Sequence, residues 1–134
     1  MYSVEVRDHI MIAHSLKSAF FGPAQNLHGA TFTVTVAFFR GTLTENNVVV
    51  DIGRALEVLH EVLAPLNYAN LDEKPEFAGQ LTTTEFLCRH VFDRFAEAAR
   101  DGRLGDGGER LERIRVTLEE TPNAAASYEG RVGA

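Results

Sequence analysis

Alternating apolar and polar residues predict four strands, because side chains in a half-buried strand point to opposite faces in turn. The strands are expected over 2–14, 30–40, 111–120 and 126–132, with Asp8 interrupting the first as a bulge or bend. The residues that share an inward face are Val4, Val6, Ile10, Ile12 and His14, then Phe32, Val34, Val36 and Phe38, then Ile114, Val116, Leu118 and Glu120.

Two further segments have the spacing of amphipathic helices. The first is expected to begin near Gly53, after Asp51 as N-cap, and to end at Pro65. The second begins at Thr82, where Thr82 and Glu85 have the spacing of a capping box. Their apolar faces consist of Leu56, Leu59, Val62 and Leu63, then Leu87, Val91 and Phe95.

The element order β-β-α-α-β-β predicts an α+β fold, with an antiparallel sheet that carries both helices on one face. We expect a loop over 66–81 and a flexible connector over 101–110, which is rich in glycine. A length of 134 residues suits one domain, 1–134.

Composition narrows the class of protein. The chain has 13 Lys and Arg against 19 Asp and Glu, a net charge of −6 without a basic run, which argues against nucleic-acid binding. No apolar stretch approaches the ~18 residues of a membrane span. The N-terminal residues lack the apolar core of a signal peptide. The one cysteine, Cys88, suits a reducing compartment, so we expect a cytoplasmic protein.

Three ionisable residues lie on otherwise apolar strand faces and are the candidates for a functional site: His14, His28 and Glu120. A carboxylate among apolar neighbours is costly to bury unless it binds a partner, so Glu120 is a candidate anchor for a polar ligand. The alternatives are that Glu120 is solvated at the strand end and that each histidine is a hydrogen-bonded structural residue.

The chain resembles the 6-pyruvoyltetrahydropterin synthase family, which includes 6-carboxytetrahydropterin synthase. The resemblance covers nearly the whole chain and rests on the order and spacing of several short segments. These are Ala13-His14-Ser15-Leu16, Leu27-His28-Gly29, Val49-Val50-Asp51, Thr83-Thr84-Glu85, and Glu120-Thr121-Pro122 followed by Tyr128.

The resemblance implies the tunnelling fold and a homo-oligomer, a trimer or a hexamer of stacked trimers, with active sites at subunit interfaces. Family members hold a catalytic zinc through three histidines. Two of them match His14 and His28, but Ala30 stands at the third position. The family's cysteine falls on Ala24, and its Asp-His pair falls on Asn67-Tyr68. Because three protein ligands are usual for catalytic zinc, we expect no metal and no cofactor.

The binding pocket of the family is better retained than its chemistry. The carboxylate that anchors the pterin ring matches Glu120, and further substrate contacts match Thr83, Thr84 and Glu85. A carboxylate suits a guanidine-like edge because it accepts two parallel N–H bonds. The sequence therefore predicts a pocket for a small, flat, nitrogen-bearing substrate.

The interpretation that follows is a divergent enzyme of the lyase or cyclase type, with metal-independent acid–base chemistry on a small aromatic or nitrogen heterocyclic substrate. His28, His14, Tyr68 and Glu120 are the candidate proton carriers. One option is a biosynthetic cyclase that joins an aryl-ethylamine to an aldehyde, a Pictet-Spengler-type condensation. The alternatives are a genuine synthase with zinc on His14 and His28, and a non-catalytic protein that binds a small molecule.

Overall fold

Two long strands joined by a short irregular segment form the centre of the molecule. The computed structural model describes residues 1–133. Its main elements in chain order are β1 (Tyr2–His14), β2 (His28–Arg40), α1 (Ile52–Leu63), β3 (Ala69–Asn70), α2 (Thr84–Arg100), β4 (Arg113–Thr121) and β5 (Ala124–Arg131). Short 3-10 helices connect them at Ala19–Gln25, Leu71–Glu73, Pro75–Phe77 and Gly108–Arg110.

The five strands form one sheet in the order β3-β1-β2-β4-β5. Strands β1 and β2 pair in unbroken antiparallel register from Tyr2 opposite Arg40 to His14 opposite His28. Asp8 pairs with Val34 within this ladder, so the bulge or bend expected at Asp8 is wrong. The sheet is mixed rather than wholly antiparallel, because the two-residue strand β3 runs parallel to β1.

The helices lie on one face of the sheet, where the inward side chains of three strands form the core. Phe32, Val34, Phe38, Ile114 and Leu118 are all at most 1% exposed. Helices α1 and α2 bury their predicted apolar faces, except Leu56 and Val62, against this layer. The predicted α+β architecture is confirmed, and the period-two pattern predicts which face of each strand is buried.

Side-chain caps fix where the two helices begin. Asp51 caps α1 as predicted, since its Oδ1 accepts the N–H of Arg54. The cap of α2 is Thr83 rather than Thr82, because the Thr83 hydroxyl accepts the N–H of Phe86 at 3.1 Å. Thr82 therefore lies outside the helix, and its side chain is free for another contact.

The segment 101–110, expected to be a flexible connector, is attached to the core at two points. Leu104 is fully buried. The guanidinium of the buried Arg40 donates to the carbonyl of Gly107 at 2.8 Å. Gly107 has φ +91, a backbone conformation that other residues rarely adopt. A Cβ at this position would also lie too close to the side chains of Thr44 and Arg40. Over residues 1–133, neither helix has the length and apolar character needed to cross a bilayer.

Candidate functional site

The candidate site begins where the β1–β2 hairpin brings two histidines face to face. His14 closes β1 and His28 opens β2, and the two are direct partners in the strand register. Their ring centroids are 4.6 Å apart, with the planes inclined by 64°, which is an edge-to-face contact. The alternation of the two strands places both residues on the core-facing side, so the pair lies at one end of the apolar layer.

His14 is almost completely buried, at 4% exposure. Its Nδ1 lies 3.0 Å from the hydroxyl of Thr82, in the loop before α2. Burial, and after it the nearby His28, lowers the pKa of His14 below its ordinary value. The neutral imidazole is therefore the favoured form of His14 near neutral pH.

His28 is half-buried, and a local hydrogen bond orients its ring. Nδ1 lies 2.8 Å from the main-chain carbonyl of Asn26. A carbonyl can only accept, so Nδ1 carries the proton in this contact and Nε2 has the lone pair. Since Asn26 is two residues away, this arrangement is built into the turn that leads into β2. His28 is thus prepared as a proton acceptor at Nε2.

A carboxylate stabilises the chain next to His14. Both oxygens of Asp72 accept hydrogen bonds from Ser15, the main-chain N–H at 3.1 Å and the hydroxyl at 2.5 Å. Desolvation acts in the opposite direction, but these two bonds hold the pKa of Asp72 below its ordinary value. Asp72 is therefore ionised, and its charge favours protonation of the neighbouring His14.

Glu120 lies close enough to His14 for its charge to raise the pKa of that imidazole. The sequence analysis expected an inward position, but the structure exposes Glu120 at the end of β4. The β4–β5 register shifts between Glu119 and Thr121, which releases Glu120 from the regular alternation. His14 and His28 form a pair in contact, and the exposed carboxylate of Glu120 acts on His14 through its charge.

The structure places Tyr68 away from this group. It follows α1 and has left-handed backbone geometry, φ 58. Its N–H donates to the carbonyl of Met11 at 2.7 Å, and the Asn67 side chain accepts the N–H of Met11 at 3.0 Å. Both contacts lie on the outer edge of β1, where Tyr68 is 81% exposed. Within residues 1–133, Tyr68 therefore does not join His14 and His28, as its predicted role as a proton carrier would require.

The Thr83-Thr84-Glu85 segment forms the start of α2. Thr83 is committed to the helix cap, Thr84 is half-buried, and Glu85 is exposed.

One turn further on, burial raises the pKa of the Cys88 thiol to about 11, and its Sγ donates to the Ala126 carbonyl. Cys88 is therefore a buried, protonated thiol and not a nucleophile.

A cavity of about 300 Å³ lies next to the surroundings of His14, but its lining does not include His14, His28 or Glu120. Ser15 and Thr82 belong both to its wall and to the surroundings of His14, while Leu71 and Phe77 provide an apolar floor. Neither Thr82 nor Asp72 was among the predicted site residues. Thr82 belongs to the threonine run 82–84, whose pattern indicates a helix cap rather than a contact with His14. Asp72 lies in a stretch that has no hydrophobic periodicity.

The donor set does not fit the zinc site that the resemblance implies. His14 and His28 provide two imidazoles, and the third position is Ala30, whose methyl group cannot bind a metal. Among residues 1–133, no three His, Cys, Asp or Glu side chains come together in a way that could hold a metal ion. The side chains present therefore do not fit a zinc ion at this position.

Solved structures of known enzymes are similar to this chain over nearly its whole length. A 6-pyruvoyl tetrahydropterin synthase from Caenorhabditis elegans superposes with a TM-score of 0.78 at 25% identity, covering 96% of this chain and 95% of that one. The enzyme from Plasmodium vivax gives 0.73 at 17% identity, covering 98% and 100%. The Plasmodium falciparum enzyme gives 0.70 at 16%, covering 97% and 99%.

The latter two likenesses show the fold alone, the tunnelling fold that the resemblance implied. No curated protein matches the chain by sequence. The model of one family, described as 6-pyruvoyl tetrahydropterin synthase, matches residues 3–131. Because that match covers nearly every residue, the chain belongs to the 6-pyruvoyl tetrahydropterin synthase family.

Proposed function

We propose that this protein is an enzyme that transfers protons on a small aromatic or nitrogen heterocyclic substrate without a metal. The observation that carries the proposal is the contact of His14 and His28, with Nδ1 of each ring occupied by the protein. A proton carrier must present one nitrogen to the substrate while the other is held. Nε2 of both rings is left for that purpose.

The two imidazoles have different environments and therefore different roles. His28 is half-buried and has its Nε2 lone pair fixed by the Asn26 carbonyl, so it is the general base. Burial favours neutral His14, which polarises the substrate rather than taking its proton. The carboxylate of Glu120 is exposed beside them and is the proposed anchor for an N–H-rich edge of the substrate.

The remaining predicted residues complete the proposal. Thr83, Thr84 and Glu85 line the approach to the substrate from the start of α2. Tyr68 lies on the outer edge of β1, so we place its contribution in the site of a neighbouring subunit of a homo-oligomer. One reaction of this class is the condensation of an aryl-ethylamine with an aldehyde. Water is lost as the iminium forms, a carbon–carbon bond closes the ring, and His28 takes the ring proton.

The test first analyses the purified protein for zinc and then dialyses it against a chelator before the activity assays. Two probes are used: free pterin, followed by its fluorescence, and an aryl-ethylamine with an aldehyde, followed by mass spectrometry for the product that has lost one water. We expect no stoichiometric zinc and turnover that survives chelation. His28→Gln should slow that turnover by about 10²–10⁴-fold, the usual contribution of a general base.

Glu120→Gln should weaken binding of the substrate or probe by roughly tenfold, because it removes the charge of the acceptor while keeping its shape. Glu119→Gln is the matched control, since Glu119 is an exposed neighbour that pairs with Thr33 in the sheet register. Turnover that is lost on chelation and restored by zinc would show a zinc-dependent synthase. Saturable binding without product from either probe would show a binding protein.

A further inference from the structure

Thr82 has a task that distinguishes it from its neighbours in the threonine run. Thr83 caps α2, whereas Thr82 lies before the helix and is only 2% exposed. Its hydroxyl lies 3.0 Å from Nδ1 of His14, a residue 68 positions away in the chain. A buried hydroxyl at this distance from a buried imidazole is a specific contact, because both polar groups have left water.

The contact decides how the ring of His14 is oriented. An imidazole ring can rotate by half a turn about its bond to Cβ, which exchanges Nδ1 with Cδ2 and Nε2 with Cε1 at little steric cost. The Thr82 hydroxyl binds only the orientation that places Nδ1 against the loop. In that orientation Nε2 is directed away from the loop.

The ring of His28 is also held at Nδ1, but by a partner close in sequence. Its Nδ1 is held by Asn26, two residues earlier, so its orientation is a property of the turn. His14 has no such local partner among its recorded hydrogen bonds, and the bond that holds it comes from the entry of α2. The orientation of His14 therefore depends on the docking of the loop before α2 against the hairpin.

We propose that Thr82 is a positioning residue, which holds Nδ1 of His14 so that Nε2 of His14 is presented beside Nε2 of His28. The inference deepens the proposed function, since paired Nε2 atoms matter only if the histidines act on a substrate. It assigns Thr82 no contact with that substrate. Thr82 acts through His14 alone.

The test is nitrogen-15 NMR of the histidine rings in the full chain, at a pH where both imidazoles are neutral. The Nδ1 signal of His14 reports whether that nitrogen is hydrogen-bonded, without any substrate. In the wild type we expect a single Nδ1 signal with the shift of a hydrogen-bonded nitrogen. Thr82→Val keeps the shape of the side chain but not its hydroxyl, and should move that signal towards the value of an unbonded nitrogen.

Thr82→Ser should restore the wild-type pattern, because it returns the hydroxyl. Thr31→Val is the control, since Thr31 is exposed at the same end of the sheet on its other face. A valine variant with intact amide signals and an unchanged His14 pattern would overturn the inference. A wild-type His14 whose Nδ1 signal shows no hydrogen bond would also overturn it, even if the valine variant fails to fold.

The NMR test of Thr82 does not depend on whether the proposed function is correct. If neither probe is turned over, the nitrogen-15 measurement still decides the role of Thr82. If turnover is found, Thr82→Val should lower kcat with little change in KM, because the substrate anchor at Glu120 is untouched. A rise in KM alone would place Thr82 in substrate binding and contradict a positioning role.

Discussion

His14 is the residue on which several influences converge, and their directions can be separated experimentally. Burial and His28 lower its pKa, whereas a backbone hydrogen bond with Thr82 and the carboxylates of Asp72 and Glu120 raise it. Three residues in this set are far apart in sequence from His14, so its protonation reports the assembly of the site. That makes His14 a probe of the geometry even before a substrate is known.

Glu120→Gln should lower the pKa of His14 further, because the variant removes a negative charge that stabilises the imidazolium. The measurement is an NMR titration of the His14 ring protons in the folded protein. Glu119→Gln should leave that titration unchanged. A pKa of His14 that is equal in all three proteins would mean that Glu120 is not near the histidine pair.

At the scale of elements, the start of α2 carries more than one function. Thr83→Ala removes the side-chain cap and should destabilise the protein by about 1 kcal/mol, within the usual range of 0.5–2 kcal/mol for such caps. The measurement is the urea dependence of unfolding. Thr84→Ala, one residue into the helix, should change the free energy of unfolding by less than about 0.5 kcal/mol. Equal losses in both variants would refute the assignment of the cap.

The hairpin and both helices could be predicted from the sequence because their signals are local. Alternation over 2–14 and 30–40 gives the buried faces, but the pairing of His14 with His28 is known only from the strand register of the structure. The contacts of His14 with Thr82 and of Ser15 with Asp72 could not be predicted in this way, since 68 and 57 residues separate the partners. The exposure of Glu120 depends on a register shift that alternation does not reveal.

For the whole molecule, acid sensitivity should follow from two buried imidazoles. Burial is the main cause that lowers the pKa of both His14 and His90. The nearby His28 lowers the pKa of His14 further, and the charge of Arg94 lowers that of His90. The unfolded chain binds protons at the ordinary pKa of about 6.5, so it is favoured as the pH falls below that value. The stability contributed by neutral His14 and His90 is therefore present above about pH 6.5 and lost towards their lower folded pKa values.

The urea midpoint should consequently be lower at about pH 5.5 than at about pH 7.5. His90→Gln should reduce that difference, because it removes one of the two groups without introducing another charge. A midpoint that is the same at both pH values, or one that rises on acidification, would contradict the effect. The His90 variant also separates general acid sensitivity from that of the candidate site.

The sheet edges bear on the assembly of whole molecules. Strand β5 has a partner on one side only, and β3 covers just Ile12 and Ala13 of the outer edge of β1. Open edges pair readily with other chains. We expect a particle of more than two copies, and light scattering at micromolar concentration should give a mass well above that of a dimer of the 14.8 kDa chain. A mass of one chain would refute this expectation.

The unbroken β1–β2 register also has a kinetic consequence. The segment between the two strands is only 13 residues long, 15–27, so the hairpin closes a short loop while β4 must return from the far end of the chain. Short loops close with little entropic cost, which favours early formation of the hairpin during folding. His14 and His28 would then meet before Thr82 and Glu120 arrive.

Val6→Ala should accordingly slow refolding, whereas Ala126→Gly in β5 should mainly accelerate unfolding. Rapid-mixing experiments across urea concentrations measure both rates.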